Sequence, residues 1–198
     1  HLRTRRQRQM CIRDSTEGDT QFDSNGVQFI VNPYDEWYAL VRALELKEAQ
    51  GGSVTTITVG EADCDPVIRK ALAIGADDAV RIATNPTDAL QVASLIASHA
   101  SEGGYDLVLC GKETIDHNGS VVGGMLAELM DASFVSLATS LEVEGGVVKA
   151  TREAAGGLES VEASLPVVVS AAKGMAEQRI PNMRGIMAAR TKPLNVVP

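Results

Sequence analysis

Between residues 53 and 131, short apolar runs alternate with longer amphipathic stretches, and this alternation constrains the fold more than any other feature of the chain. "SVTTITVG", "DAVRIA" and "YDLVLC" have strand length and β-branched content. "DPVIRKALAIGA", "PTDALQVASLIASHASEGG" and "SVVGGMLAELMD" between and after them have helix length and helical spacing. Strand–helix alternation of this kind predicts an α/β fold, a mostly parallel sheet with helices on both faces. Upstream, "NPYDEWYALVRALELKEAQGG" reads as a helix. Pro33 suits its first position, Asp35 and Glu36 favour its N-terminal turn, Gly51 can end it, and Trp37, Leu40, Val41 and Leu44 share one face. Trp37 is thereby read as a core or interface residue. Downstream, "FVSLATSLEVEGGVVKATREA" predicts a hairpin turning at Gly145-Gly146, and "ESVEASLPVVVSAA" two further strands broken at Pro166. A hairpin is also expected in "TQFDSNGVQFIV", around Asn25-Gly26. Aromatics make up only 4% of the residues, so the core is aliphatic.

The first fifteen residues do not fit this pattern. "RRQRQMCIRDS" resembles the translation of a transposon-end adapter from sequencing libraries, so residues 1–15 are expected to be a non-native tail. They hold five arginines and one aspartate. Eighteen basic residues less five leaves 13, and 26 acidic residues less one leaves 25, a balance of −12 for the remainder. A body so acidic repels nucleic acid and anionic membrane surfaces, and no apolar run approaches the roughly 20 residues of a membrane span. Beyond Cys11, the two cysteines, Cys64 and Cys110, lack metal-type spacing. A reducing, cytoplasmic location follows as the expectation.

Ligands of open α/β sheets bind beyond the carboxyl ends of strands. Here those ends carry "VNPYDE", "TVGEAD" and "GKETIDHNGSVVGG", residues 111–124. The last offers glycine at Gly111, side-chain oxygens at Thr114, Asp116, Asn118 and Ser120, and the start of a helix whose free N–H groups favour an anion. Read from its residues, the loop is an ordinary turn, a phosphate cradle, or a metal or catalytic loop. It is not a P-loop, because Asp106 and Glu113 stand where that motif needs glycine and a hydroxyl. His117 has no second histidine or cysteine in a metal-type spacing.

"GKETIDHNGSVVG" resembles the adenine-nucleotide loop of the electron transfer flavoprotein β subunit. "VNPYDEWYALVRALELKE", "IRKALAIGADDAVRI", "TREAAGGLESVEASLPVVVSA" and "RIPNMRGIMAARTKPL" are similar to four further segments of that family, in order, from about residue 16 to 194. The resemblance implies an adenine-nucleotide-hydrolase-like (Rossmann-like) domain over 16–176, with a C-terminal β-hairpin region, and a partner recognition loop with the start of an arm over 177–198. It implies a non-enzymatic electron carrier. Its β subunit holds a structural AMP, while a companion α subunit carries most of the contacts to a redox-active FAD. Acyl-CoA dehydrogenases and similar flavoenzymes supply the electrons, and a quinone oxidoreductase takes them.

Carried over by position, the nucleotide contacts fall on Asn32, Pro33, Tyr34, Asp35, Val59, Gly111, Lys112, Glu113, Thr114, Ile115, Asp116, His117, Asn118, Gly119, Ser120, Val121 and Val122. Partner docking falls on Arg179, Pro181, Met183, Arg184 and Ile186, with Met183 as the apolar anchor. Glu113, Val122 and Ala155 depart from the family's usual glutamine, threonine and acid. The family also begins with a hydrophobic strand at the middle of the sheet and continues with a longer arm, so the expectation is a gene fragment whose first, central strand is missing. Two other functional classes fit the same loop: a flavin-bifurcating relative with a second FAD in place of AMP, and a stand-alone nucleotide-binding module of the universal-stress type.

Overall fold

The computed structural model describes residues 30–32, 34–114 and 118–198, and Val31–Pro198 form one compact unit. The expected tail, the Asn25-Gly26 hairpin, Pro33 and Ile115–His117 lie outside the described residues. Helix α1, Asp35–Gln50, starts with Asp35 and Glu36 and ends with Lys47 in its last turn, charges that complement the helix dipole at both ends. The Gly51 N–H closes it on the Lys47 carbonyl at 2.8 Å. Strand β1, Thr55–Val59, is followed by a 3-10 turn at Ala62–Cys64 and by α2, Asp65–Ile74, which carries Pro66 in its first turn. Then come β2, Asp78–Ile82; α3, Ala89–Gly103; β3, Leu107–Gly111; and α4, Val122–Leu129. Asp88 caps α3 by accepting the Gln91 N–H at 2.8 Å. The chain continues with β4, Ser133–Glu144; β5, Val147–Ala154; β6, Gly157–Ser164; β7, Val167–Ala171; α5, Met183–Ala189; and β8, Leu194–Val197.

The fold is α/β, with the helix–strand alternation, the Gly145-Gly146 hairpin and the Pro166 break where the sequence put them. Strands β3, β7 and β4 run parallel, and β5 and β6 extend this sheet as antiparallel hairpins, giving the order β3-β7-β4-β5-β6. A second sheet, β1-β2-β8, is wholly parallel. Among the described residues, β1 and β3 each pair along one edge only, β1 with β2 and β3 with β7. Strand β8 was not expected. "LNVV" is four residues long after Pro193, too short for a periodicity to register, and it is the parallel pairing with β2 that makes it a strand.

Helix α1 packs into two cores. Ala39 joins the core formed by β4, β5, β7 and Met175, while Leu40 and Leu44 join the core of α2, β2 and Ala189. On the other face of β7, Val168 packs with α3 and α4 through Ala93, Ala97, Leu126 and Ala127. Asp77 ties the two ends of the α1–β1 unit together: its carboxylate accepts from Lys47 Nζ and from the Val54 N–H at 2.8 Å. Partial burial pushes the Asp77 pKa up. The Lys47 hydrogen bond, the Val54 N–H and the charges of Lys47 and Lys192 outweigh it and hold the pKa below the ordinary carboxylate range.

Two predictions follow from this frame. All five residues of β7 and four of five in β2 are buried, whereas every residue of β1 and β3 is half-buried. Amide exchange should therefore be slower in β7 and β2 than in β1 and β3 by about tenfold, or ~1.4 kcal/mol of local opening. Equal rates would contradict this difference in burial. Second, a depressed carboxylate stabilises the fold above its unfolded pKa and loses that contribution as pH falls through the folded value. Asp77→Asn should lower stability at neutral pH and flatten the acid limb below the normal aspartate range, as read by denaturant melts at a series of pH values.

Candidate functional site

Strand β3 ends at Gly111 because α1 lies against it. A Cβ on Gly111 would sit 2.7 Å from Glu36 Cδ and 3.1 Å from Asp35 Cβ, so a side chain there would have to push Glu36 aside and crowd Asp35. This brings the segment from Asn32 to Asp35 beside the loop that begins at Gly111. Asn32 Oδ1 accepts the Tyr34 N–H at 3.1 Å and shapes the entry to α1. Asp35 is 5% exposed. Burial pushes its carboxyl pKa up, opposed by the charge of Lys112 and reinforced by that of Glu113. Lys112 pairs with Glu113 at 3.0 Å, and its N–H donates to the Ala171 carbonyl at 3.1 Å.

The loop is pinned on itself by two hydrogen bonds. The Thr114 N–H reaches the Gly119 carbonyl at 2.9 Å, and the Gly119 N–H reaches Thr114 Oγ1 at 3.1 Å. Asn118 takes a left-handed conformation at φ 50°. Helix α4 then begins at Val122 with no side-chain cap from Val121, and the first amides of a helix are where an anion can bind. Gly123 is required for packing, since a Cβ there would come within 2.9 Å of both Cys110 Sγ and Phe134. Gly124 has ordinary contacts only. Ser120 and Val121 are exposed on the same rim. Val59 closes β1 in the other half-sheet, where the next residue, Gly60, donates to the Ile82 carbonyl at 3.0 Å. Buried Arg81 fixes that corner through Asp65 at 2.7 Å and the Gly60 carbonyl at 3.3 Å.

Both thiols in the described chain are shifted toward the protonated form. Burial, reinforced by the charge of Glu36, pushes Cys110 up to about 12, and burial also raises Cys64. Among the described residues no group of three or more histidine, cysteine or acidic side chains is placed to hold a metal ion, and no helix is long and apolar enough to cross a membrane.

The expected docking segment has a different character. Ile180 is 89% exposed, Met183 73% and Met187 55%, with Ile186 and Arg184 also exposed and Pro181 half-buried. Ile180 and Met187 were not among the sequence-derived candidates, and their exposure is a tertiary property with no local signal. Arg179 turns toward α1. Its guanidinium forms a two-pronged ion pair with Glu48 at 2.6 and 2.8 Å, and its carbonyl accepts the Trp37 Nε1–H at 3.2 Å. Trp37 is buried, with Lys70 Nζ 5.2 Å from its ring centroid. Helix α5 is capped by Asn182, whose Oδ1 accepts the Gly185 N–H at 2.8 Å. It lies hard against α2: a Cβ on Gly185 would sit 2.3 Å from the Ala73 carbonyl oxygen. Arg69 donates to the Ala189 and Lys192 carbonyls at 2.8 and 2.7 Å, while Lys192 Nζ reaches back to the Leu72 and Ala76 carbonyls at the end of α2.

The chain matches the family model of the electron transfer flavoprotein domain over residues 19–198. It is 36% identical to the electron transfer flavoprotein subunit beta of Bacillus subtilis over 178 residues, which is 88% of this chain and 69% of that protein. The human subunit beta is 36% identical over 180 residues, 88% of this chain and 70% of its own length. That of Bradyrhizobium diazoefficiens is 36% identical over 170 residues, 85% of this chain and 68% of its own.

The contact at Gly185 gives a direct test of how α5 is held. Gly185→Ala should force the helix off α2 or strain it, costing about 1–3 kcal/mol of stability. It should also raise proteolytic nicking within residues 183–190. An unchanged melt and nicking rate would mean that α5 does not sit on Ala73.

Proposed function

This chain belongs to the electron transfer flavoprotein β-subunit family, and from that premise we propose that it works as the nucleotide-stiffened, partner-docking half of a heterodimeric electron carrier. In this reading an AMP lies along the loop from Gly111 to Val122, with its adenosine side toward Asn32–Asp35 and Val59. The uncapped start of α4 supplies amides for the phosphate, and the self-closed Thr114–Gly119 turn holds the loop ready for it. The AMP carries no electrons. The FAD that does is held mainly by an α subunit, and this chain forms one wall of its pocket. No side chain here acts as acid, base or nucleophile.

One observation carries the docking part of the proposal. Ile180 and Met183 stand 89% and 73% exposed on a segment tied down on both sides, by Arg179 to α1 and by Gly185 to α2. Apolar side chains displayed on a fixed stem fit an anchor for a partner's pocket. Acyl-CoA dehydrogenases and similar flavoenzymes are the proposed electron donors, and a quinone oxidoreductase the acceptor. An electron carrier must let go of each partner, so the interface is small and short-lived.

Two measurements test this. Nucleotide released from the purified heterodimer should be one FAD and one AMP. Two FADs would move the chain to the bifurcating class, and a smaller subunit without nucleotide would remove the site altogether. In turnover with an acyl-CoA dehydrogenase, Met183→Ala should raise the KM for the carrier by about tenfold or more, in line with the ~2 kcal/mol of a hot-spot side chain. The flavin spectrum should stay as it was. No change in KM would take Met183 out of the contact.

A further inference from the structure

We propose that α1 links the nucleotide loop to the docking segment, with Trp37 and Glu48 as positioning residues that make the pose of residues 179–187 depend on whether the loop is occupied. The inference rests on the reading of that loop as an adenylate site. It goes beyond that reading by joining two surfaces in one equilibrium.

The chain of contacts is short and has little slack. At its first end, the residue that opens the loop packs closely on the first turn of α1: a Cβ on Gly111 would fall within 3.1 Å of side-chain atoms of both Asp35 and Glu36, and β3 lies in contact with the helix. At its second end, the next residue of α1, Trp37, holds the backbone of the docking segment through the indole N–H on the Arg179 carbonyl. The same Arg179 is gripped again near the last turn of α1, where its guanidinium meets both carboxylate oxygens of Glu48. Ile180, the most exposed apolar side chain of the segment, follows directly. Between the two ends lies less than one turn of a helix whose buried face packs into two cores. A displacement of α1 at Gly111 is therefore delivered to Arg179, since packed elements shift as units rather than deform continuously. Linkage is reciprocal: a partner that fixes residues 179–187 also tightens the nucleotide.

Trp37 is more than core filling in this scheme. Phenylalanine in its place keeps an aromatic ring in the core and removes the N–H donor together with one ring of the indole. Glutamine for Glu48 keeps the size and removes the charge. The two variants cut the two links one at a time, and Glu48→Gln does so without a change of core volume.

The experiment is hydrogen exchange on the full chain with and without saturating AMP, with occupancy measured separately by equilibrium dialysis. In the parent chain AMP should slow exchange across 179–187 by about fivefold or more, and in Trp37→Phe and Glu48→Gln by less than about twofold with AMP still bound. A purely structural role would change the baseline of the variants and leave the AMP response intact, and that result overturns the proposal. So does a parent chain that binds AMP with no change at 179–187, in which case the nucleotide reading survives alone. A parent chain that does not bind AMP removes both together.

Discussion

The packing of one helix in two directions holds this molecule together. Among the described residues α1 is the one element whose buried side chains enter both the core under β4, β5 and β7 and the core under α2 and β2. Burying a valine or leucine fully is worth about 1.5–3 kcal/mol, against about 0–1 kcal/mol for an exposed ion pair. Leu40, Val41 and Leu44, at most 9% exposed, therefore outweigh the surface pairs Arg42–Glu45 and Arg179–Glu48 in fixing where α1 lies. The Arg42–Glu45 pair lies within α1 itself, while Arg179–Glu48 ties residue 179 to the helix. The two sheets share no strand pairing among the described residues, and α1 is the element that packs into the cores of both.

The position of α1 in turn decides what the ends of the strands look like. Its N-terminal turn packs beside Gly111, so the loop that begins there is built against a helix rather than over an empty strand end. The acidic balance of the chain gives this placement an electrostatic side. Asp35 stays buried next to Lys112, whose own pKa is raised first by its hydrogen bond to Glu113, so a cation is kept beside the loop in a chain with net charge −8. The far end of the larger sheet faces a different problem, since β6 has no neighbour on its outer side among the described residues. Glu159 and Glu162 blunt that edge, and their cross-strand partners are Arg152 and Lys149.

Much of this was legible in the sequence wherever the information is local. The period of 3.6 in α1 named Trp37, Leu40, Val41 and Leu44 as one face, and all four are buried. Gly145-Gly146 takes positive φ at both positions and turns the β4–β5 hairpin. What the sequence hid is long-range. Trp37 and Arg179 are 142 positions apart, and no periodicity links an indole N–H to a distant carbonyl. Gly111 reads as room for a ligand, yet its close neighbour is Glu36. Leu137 is a further case: it holds φ 57° at the bulge in β4, where its N–H donates to the buried Ser170 hydroxyl at 2.9 Å, and a leucine gives no local sign of a left-handed backbone.

A stiff stem and a weak grip are compatible, and the docking segment shows how. Ordering a loop on binding costs free energy that must come out of the contact itself, and a segment already held by Arg179, Asn182 and Gly185 has met most of that cost before a partner arrives. A few exposed apolar side chains then suffice for recognition, and the small area keeps dissociation fast. The same rigidity makes the segment sensitive to α1: a floppy loop would absorb a shift of the helix, whereas one clamped at two points must follow it. In the proposed role, the features that make docking economical are also those that expose it to control from the nucleotide loop.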